Sequence, residues 1–368
     1  MFKKQLGISI YPEHFSKKET IDYLNKCYKK GINNLFMSII HFNKKEKDEI
    51  LELYKYICVN ANKIGFYIIL DINDNALNLL ELSINELNFF KKIGVSCVRL
   101  DSPLLPKEVA DLTFNESDLD IQLNISNNDN FINNVLDYKP KRQNLFGCHN
   151  FYPLKNSGLS FNFFWKTTKR FVDLGIHSSA FVGSNFGNKG PQNYDVDNLV
   201  TIEKTRNLPI RSQAKFLFAT GLISTVIVGN QAMSEEEIIN FAEVNKIDKF
   251  EFDIKLDKNL LVIEKKILDY ENHFWRGDLN EDFVRSTFTR VDFKDEIKTN
   301  NIKIKLNRGD VCIINKNNSH YQRELIIILK DNYTQLGNTA NYIGSIKDYD
   351  LLLLSILQGW DKFKFRGV

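Results

Sequence analysis

Eight short apolar runs follow one another through the first two thirds of the sequence, at residues 6–11, 34–39, 66–71, 95–101, 120–126, 145–152, 179–184 and 224–229. Each has the length of a buried strand, and most of the stretches between them space their apolar residues as a helix does. Strands that alternate with helices in this way have few ways to bury both faces. The expected solution is a closed (β/α)8 barrel, an α/β fold whose working groups gather at the C-terminal ends of the strands. Those ends carry Tyr11, Asp71, Arg99, Asp101, Asn124, His149, Asn150 and Tyr152, with His41 just beyond the second run. A barrel built only for stability has no need of such a polar ring.

The intervening stretches carry helix signals. Ser16 and Glu19 have capping-box spacing, and Gly31 ends the helix they start. Residues 158–175 form an amphipathic helix with a dense aromatic face. After residue 249 the rhythm changes to alternating segments, FEFDIKL, RSTFTRVDF, IKIKL, DVCIIN, ELIIILK and ANYIGSI, separated by Gly, Asn and Asp turns. The expected organisation is a barrel over 1–248 and a mostly antiparallel β domain over 249–368. The length supports this division, since a barrel takes about 250 residues of the 368 present.

The net charge is +3 with both signs interspersed, which disfavours a dedicated nucleic-acid binder. The five cysteines show no CxxC spacing, and three lie inside apolar strands, as free thiols in a reducing compartment do. No apolar run is long enough to span a membrane. The N-terminus enters the first strand without a signal-peptide core. A cytoplasmic protein with no membrane partner is the expectation. No HExxH, CxxC or GxGxxG pattern occurs, so no metal or cofactor is expected.

Asp71 and Asp101 end the third and fourth runs and should point into the barrel mouth. Two carboxylates on a cleft are the minimum equipment for glycoside hydrolysis. Each Asp can also be read as a cap for the following helix. Arg99 lies on the same strand face as Asp101 and keeps a neighbouring carboxylate charged, so Asp101 can equally position substrate. His149, Asn150 and Tyr152 offer an imidazole, an amide and a phenol that suit sugar hydroxyls or an N-acetyl group; a buried core histidine is the plainer reading of His149. The loop GNKGP, 187–191, gives glycine amides and Lys189 to an anion. Glu203 is a third carboxylate within range of the mouth, unless it is simply an exposed helix residue.

LGISIYPE, FMSIIH, FYIILDIN, VRLD, LNISN, HNFYP followed by GLS, AFVGS with a downstream KGP, and VTIEKTR occur in an order that resembles the bacterial 6-phospho-N-acetylmuramidases. RSTFTR, RGDVCIIN, YQRELIIIL and NYIGSI extend the resemblance into the second domain. The resemblance implies a C-terminal cyclophilin-like domain and a cytoplasmic glycosidase of peptidoglycan recycling. It implies, as substrate, a disaccharide of N-acetylmuramic acid 6-phosphate and N-acetylglucosamine. Asn230 stands where this family usually has Asp, and Ser184 where an acidic residue is usual. An amide cannot act as a base, so Asn230 would orient substrate or mark lost chemistry.

Asp71 and Asp101 are therefore the expected central carboxylates, with Glu203 competing as the acid. Tyr11, His41, Arg99, Asn124, His149, Asn150, Tyr152 and Asn230 are expected to orient the sugar. Lys189, with Arg290 or Arg323 from the second domain, would meet the phosphate, since a dianion in a cleft wants several fixed donors. The second domain could close the cleft or form a homodimer interface. The alternatives are a phospho-sugar sensor without catalysis, and a sugar-phosphate aldolase or isomerase. The second is disfavoured because no lysine sits at a strand end to form a Schiff base.

Overall fold

The computed structural model describes residues 3–40, 47–102, 104–191 and 195–368. The chain divides into two compact units, Met1–Asn245 and Lys246–Val368. In the first, eight parallel strands close into a barrel: β1 (Gln5–Ser9), β2 (Asn34–Ser38), β3 (Tyr67–Ile72), β4 (Cys97–Leu100), β5 (Asp120–Asn124), β6 (Leu145–Cys148), β7 (Ser178–Val182) and β8 (Thr225–Val228). β8 pairs with β1 to complete the ring. Helices form between the strands where the caps allow. Ser16 accepts the Glu19 amide at 3.2 Å to start Lys17–Lys29, and Ser160 starts the aromatic helix Phe161–Val172 in the same way.

Alternation along each strand sets three inward layers. The middle one is Phe36, Ile69, Cys97, Cys148, Phe181 and Ile227, a closed apolar plug. Two residues earlier, towards the strand N-termini, Asn34, Tyr67, Phe146, Ser179 and Thr225 line a polar base together with Gln5 and Gln122. Two residues later come Ser38, Asp71, Arg99, Asn150, Gly183 and Gly229 at the mouth. The two glycines are required by close approach. A Cβ on Gly183 would lie 2.3 Å from Asn198 Oδ1, and one on Gly229 2.3 Å from the Leu199 carbonyl. The loop through 195–200 therefore lies directly on the ends of β7 and β8. Its Val196 and Leu199 pack with Tyr11 and Phe151.

The second unit holds a six-stranded sheet in the order β10-β12-β11-β13-β9-β14. Its strands are β9 (Phe250–Leu256), β10 (Phe283–Ser286), β11 (Asp310–Ile314), β12 (Leu325–Ile328), β13 (Ala340–Ile346) and β14 (Phe363–Gly367). All neighbours are antiparallel except β9 and β14. Two expected strands differ. RSTFTRVDF leaves the sheet after Ser286 and turns into the short helix Thr289–Asp292, with Thr289 Oγ1 donating to the Ser286 carbonyl at 3.0 Å. IKIKL forms no strand: Lys303 reaches Asp310 at 2.7 Å and lies over the Tyr342 ring, so the segment covers the sheet instead of joining it.

Candidate active site at the barrel mouth

Arg99 is the hub of the open half of the mouth. Its Nη1 donates to Asp71 Oδ1 at 2.6 Å and lies 3.5 Å from Asp101 Oδ1, and its Nη2 donates to Asn150 Oδ1. Asp71 Oδ2 accepts from Ser38 Oγ at 3.0 Å. Asp71 is 4% exposed, whereas the Asp101 side chain keeps 33% of its surface. Burial pushes the Asp71 carboxyl above the usual carboxylate range; Arg99 pulls it back, Asp101 pushes it further up, and Ser38 also opposes the rise. Burial works hardest against the Arg99 cation, but Asp71, Cys148 and Asp101 together outweigh it and Arg99 stays protonated. A buried guanidinium needs an anion in contact, and Asp71 is that anion. Asp101, further out, presents its carboxylate to the cleft. The cleft encloses about 210 Å³ between Phe36, Asp71, Arg99, Asp101, Asn150, Phe151 and Phe181.

His149 does not face the mouth. Cys148 and Asn150 point inward, so His149 points outward, fully buried against the aromatic helix Phe161–Val172, its ring 4.9 Å from that of Phe164. Its partners fix the tautomer. The Asn150 amide donates to Ser126 Oγ at 2.9 Å, leaving the Ser126 hydroxyl to donate to His149 Nδ1 at 3.1 Å. Thr168 donates to the Phe164 carbonyl at 2.6 Å, so it accepts from His149 Nε2 at 2.8 Å. Burial, aided by the Arg99 charge, pushes the imidazole down to about 3. This neutral ring braces Asn150 from behind. Strand parity turns its ring towards this helix, while the residue also contributes to the lining of the cleft. Asn124 is inward on β5, and its Oδ1 accepts the Ser126 amide at 2.9 Å.

On the other half of the mouth the Tyr11 and Asn230 side chains are consumed by backbone. Tyr11 is fully buried, its hydroxyl donating to the Gly229 carbonyl at 2.6 Å and its amide to Gln231 Oε1 at 2.7 Å. Asn230 accepts from the Ser184 amide at 2.9 Å and donates to the carbonyls of Ser184 at 2.8 Å and Gly187 at 2.5 Å. The last two contacts need an N–H donor, so the amide here is a structural joint that a carboxylate cannot reproduce. Tyr152 bridges to Val200, and its carbonyl accepts from Arg206 at 3.0 Å. The Lys189 backbone pairs with Gln231, while its ammonium pairs with Asp195 on the rim.

Glu203 is likewise not a free acid. Arg206 grips it with two contacts of 2.8 Å, and the amides of Asn156 and Gly158 add contacts of 2.9 and 2.8 Å. Arg206, with these backbone donors, pulls the carboxyl down to about 2 against its partial burial. It ties the loop after β6 to the segment after β7.

His41 lies outside the described residues. Arg290 and Arg323 belong to the second unit. Arg290 is held by Glu324 at 3.2 Å and the His320 carbonyl at 2.6 Å, and it covers the Tyr321 ring. Arg323 donates to Gln322 Oε1 at 2.7 Å. Among the described residues no group of three or more His, Cys, Asp or Glu side chains is placed to hold a metal ion, and no helix is long and apolar enough to cross a membrane.

Two mouth residues escape a reading of strand ends alone. Ser38 has the parity of Phe36 but sits within an apolar run. Glu13 follows β1 in a short 3-10 turn, Pro12–His14, where no strand pattern marks it.

Among solved structures, an uncharacterized B. cereus protein is 33% identical, with 99% of each chain covered and a TM-score of 0.89. A conserved Enterococcus faecalis protein with an unknown function shares the fold at 22% identity and TM-score 0.71, over 99% of this chain and 96% of that one. No curated protein matches the chain. The 6-phospho-N-acetylmuramidase N-terminal family matches residues 6–243 and the corresponding C-terminal family residues 250–366. With both halves matched in order, the chain belongs to the 6-phospho-N-acetylmuramidase family.

Proposed function

We propose that the protein hydrolyses the glycosidic bond of a disaccharide of N-acetylmuramic acid 6-phosphate and N-acetylglucosamine, in the cytoplasmic recycling of peptidoglycan. The observation that carries this reading is the Arg99 hub, which presents Asp101 to a small cleft while Asp71 balances the buried charge. Asp101 attacks the anomeric carbon or deprotonates the attacking water. Asn150 and Arg99 orient the sugar. Phe36, Phe151 and Phe181 supply an apolar floor for its ring face. A cleft of about 210 Å³ is smaller than the roughly 300–1,000 Å³ of pockets that engulf a drug-sized ligand. It therefore takes the phosphorylated muramic ring, at whose anomeric carbon Asp101 acts, and leaves N-acetylglucosamine towards the rim; Lys189, paired with Asp195, is the candidate partner of the 6-phosphate.

The sensor reading rested on Asn230 marking lost chemistry. A side chain committed to four loop contacts gives that reading no support. The test is turnover of the phosphorylated disaccharide beside its unphosphorylated twin. Cleavage of the first alone supports the proposal; binding of the first with no cleavage sinks it.

A further inference from the structure

Hydrolysis of a glycoside needs a proton on the leaving oxygen as well as an attacking group. Asp71 and Asp101 share the Arg99 cation and Glu203 is gripped by Arg206, whereas a proton donor works best with no cation beside it. Building on the glycosidase reading, we infer that Glu13 is the general acid that protonates the departing N-acetylglucosamine oxygen.

Its placement carries the inference. Glu13 is exposed, so a substrate can reach it. Its Oε2 lies 3.4 Å from the Tyr54 hydroxyl, which itself donates to the Ser38 carbonyl at 2.9 Å. Ser38 in turn holds Asp71 through its hydroxyl at 3.0 Å, so Tyr54 and Ser38 link Glu13 to the Asp71–Arg99 pair.

The backbone that carries it is fixed on both sides. Tyr11, two residues before, is bonded to Gly229 and Gln231, and His14, the next residue, has its Nε2 2.9 Å from the Gly190 carbonyl. Such anchoring is what a catalytic group needs and what a solvated surface glutamate does not. Among the described residues no lysine or arginine pairs with Glu13. The groups that face it are His14 on its own turn, Tyr54 from the helix Lys47–Ile64, and Tyr11 two residues before it. Partial desolvation pushes its carboxyl above the usual range, while its own backbone and His14 pull the other way.

In the step, the bond between the anomeric carbon and the bridging oxygen breaks and its electron pair stays on the oxygen. The Glu13 proton forms the new O–H, leaving a carboxylate. Oxygen from Asp101 or from water takes the anomeric carbon. On the covalent route Glu13 regains its proton from the water that hydrolyses the Asp101 ester; on the direct route Asp101 takes the water's proton and Glu13 is reprotonated from solvent.

The experiment compares two substrates on the full chain: the phosphorylated disaccharide, whose leaving group needs a proton, and 4-nitrophenyl 6-phospho-N-acetylmuramide, whose leaving group does not. Glu13→Gln should lower kcat on the disaccharide by about 10³-fold, within the usual range for acid catalysis, and on the aryl glycoside by less than about tenfold. Glu13→Ala should repeat the pattern, and both variants should keep the wild-type melting temperature. Equal losses on the two substrates, or no loss on either, overturn the role of Glu13 while leaving the glycosidase reading intact. Wild-type inactivity on both substrates overturns the reading and the Glu13 role with it.

Discussion

The two halves of the barrel mouth use the same kinds of side chain for opposite ends. Over β2 to β6, Ser38, Asp71, Arg99, Asp101 and Asn150 bond chiefly to one another and keep an exposed carboxylate at the cleft. Over β7, β8 and β1, the side chains of Tyr11, Asn230 and Glu203 bond to main chain, and glycine follows β7 and β8. Polar residues at strand ends thus divide into those that hold loops and those that present chemistry. The division follows from which half the loop through 195–200 covers.

The largest test of this contrast is Asp101→Asn. It should reduce turnover of the phosphorylated disaccharide by on the order of 10³-fold with little change in melting temperature, because the residue is partly exposed and only loosely held. Parallel assays and thermal melts decide; a large stability loss would place Asp101 with the loop-holding group.

Glu203→Gln should do the reverse. It leaves the buried Arg206 without its anion, at a cost of about 3–5 kcal/mol, seen in urea unfolding, while kcat per folded molecule changes little. With its pKa near 2 in the folded chain, the stability Glu203 contributes is present above the ordinary carboxylate range and is lost as pH falls towards 2. A normal melting temperature with abolished turnover would restore Glu203 as a catalytic acid.

Asn230→Asp should cost about 1–3 kcal/mol because the Ser184 and Gly187 carbonyls lose their donor. Calorimetry checks it; unchanged stability with faster turnover would turn the joint into a catalytic position.

The smallest effect is a slope. His149 binds a proton near 6.5 when unfolded but only near 3 when folded. Between those values the unfolded state holds more protons, so stability falls as pH drops, by at most about 1.4 kcal/mol per unit. His149→Asn should flatten that part of the curve, although His273, pushed down to about 4 by burial in the second unit, leaves a residual slope. An unchanged curve would mean that His149 is solvated and belongs to the open half.

The barrel was legible because most of its strands are largely apolar runs with a polar residue at or near the end, as strands buried on both faces tend to be. Parity along β4 likewise put Arg99 and Asp101 on one face. The same parity, carried one residue past β6, separates His149 from Asn150; reading the strand end as a cluster merged them. Which carboxylate is free could not be read, because Arg206 and the Asn156 and Gly158 amides meet Glu203 only through the fold. Ser38 was hidden inside an apolar run, and Glu13 by a turn with no periodic signal. In the second unit IKIKL alternates as a strand does, but Lys303 finds Asp310 and the segment lies over the sheet.

Gly183 and Gly229 have an evolutionary corollary. Because neither tolerates a side chain while Asn198 and Leu199 rest on it, the strand ends and the covering loop form a single heritable unit. A relative that replaces either glycine should also carry a rerouted loop. Substitutions around the Arg99 hub face no such restraint, so substrate preference can drift on one side of the barrel while the other is inherited whole.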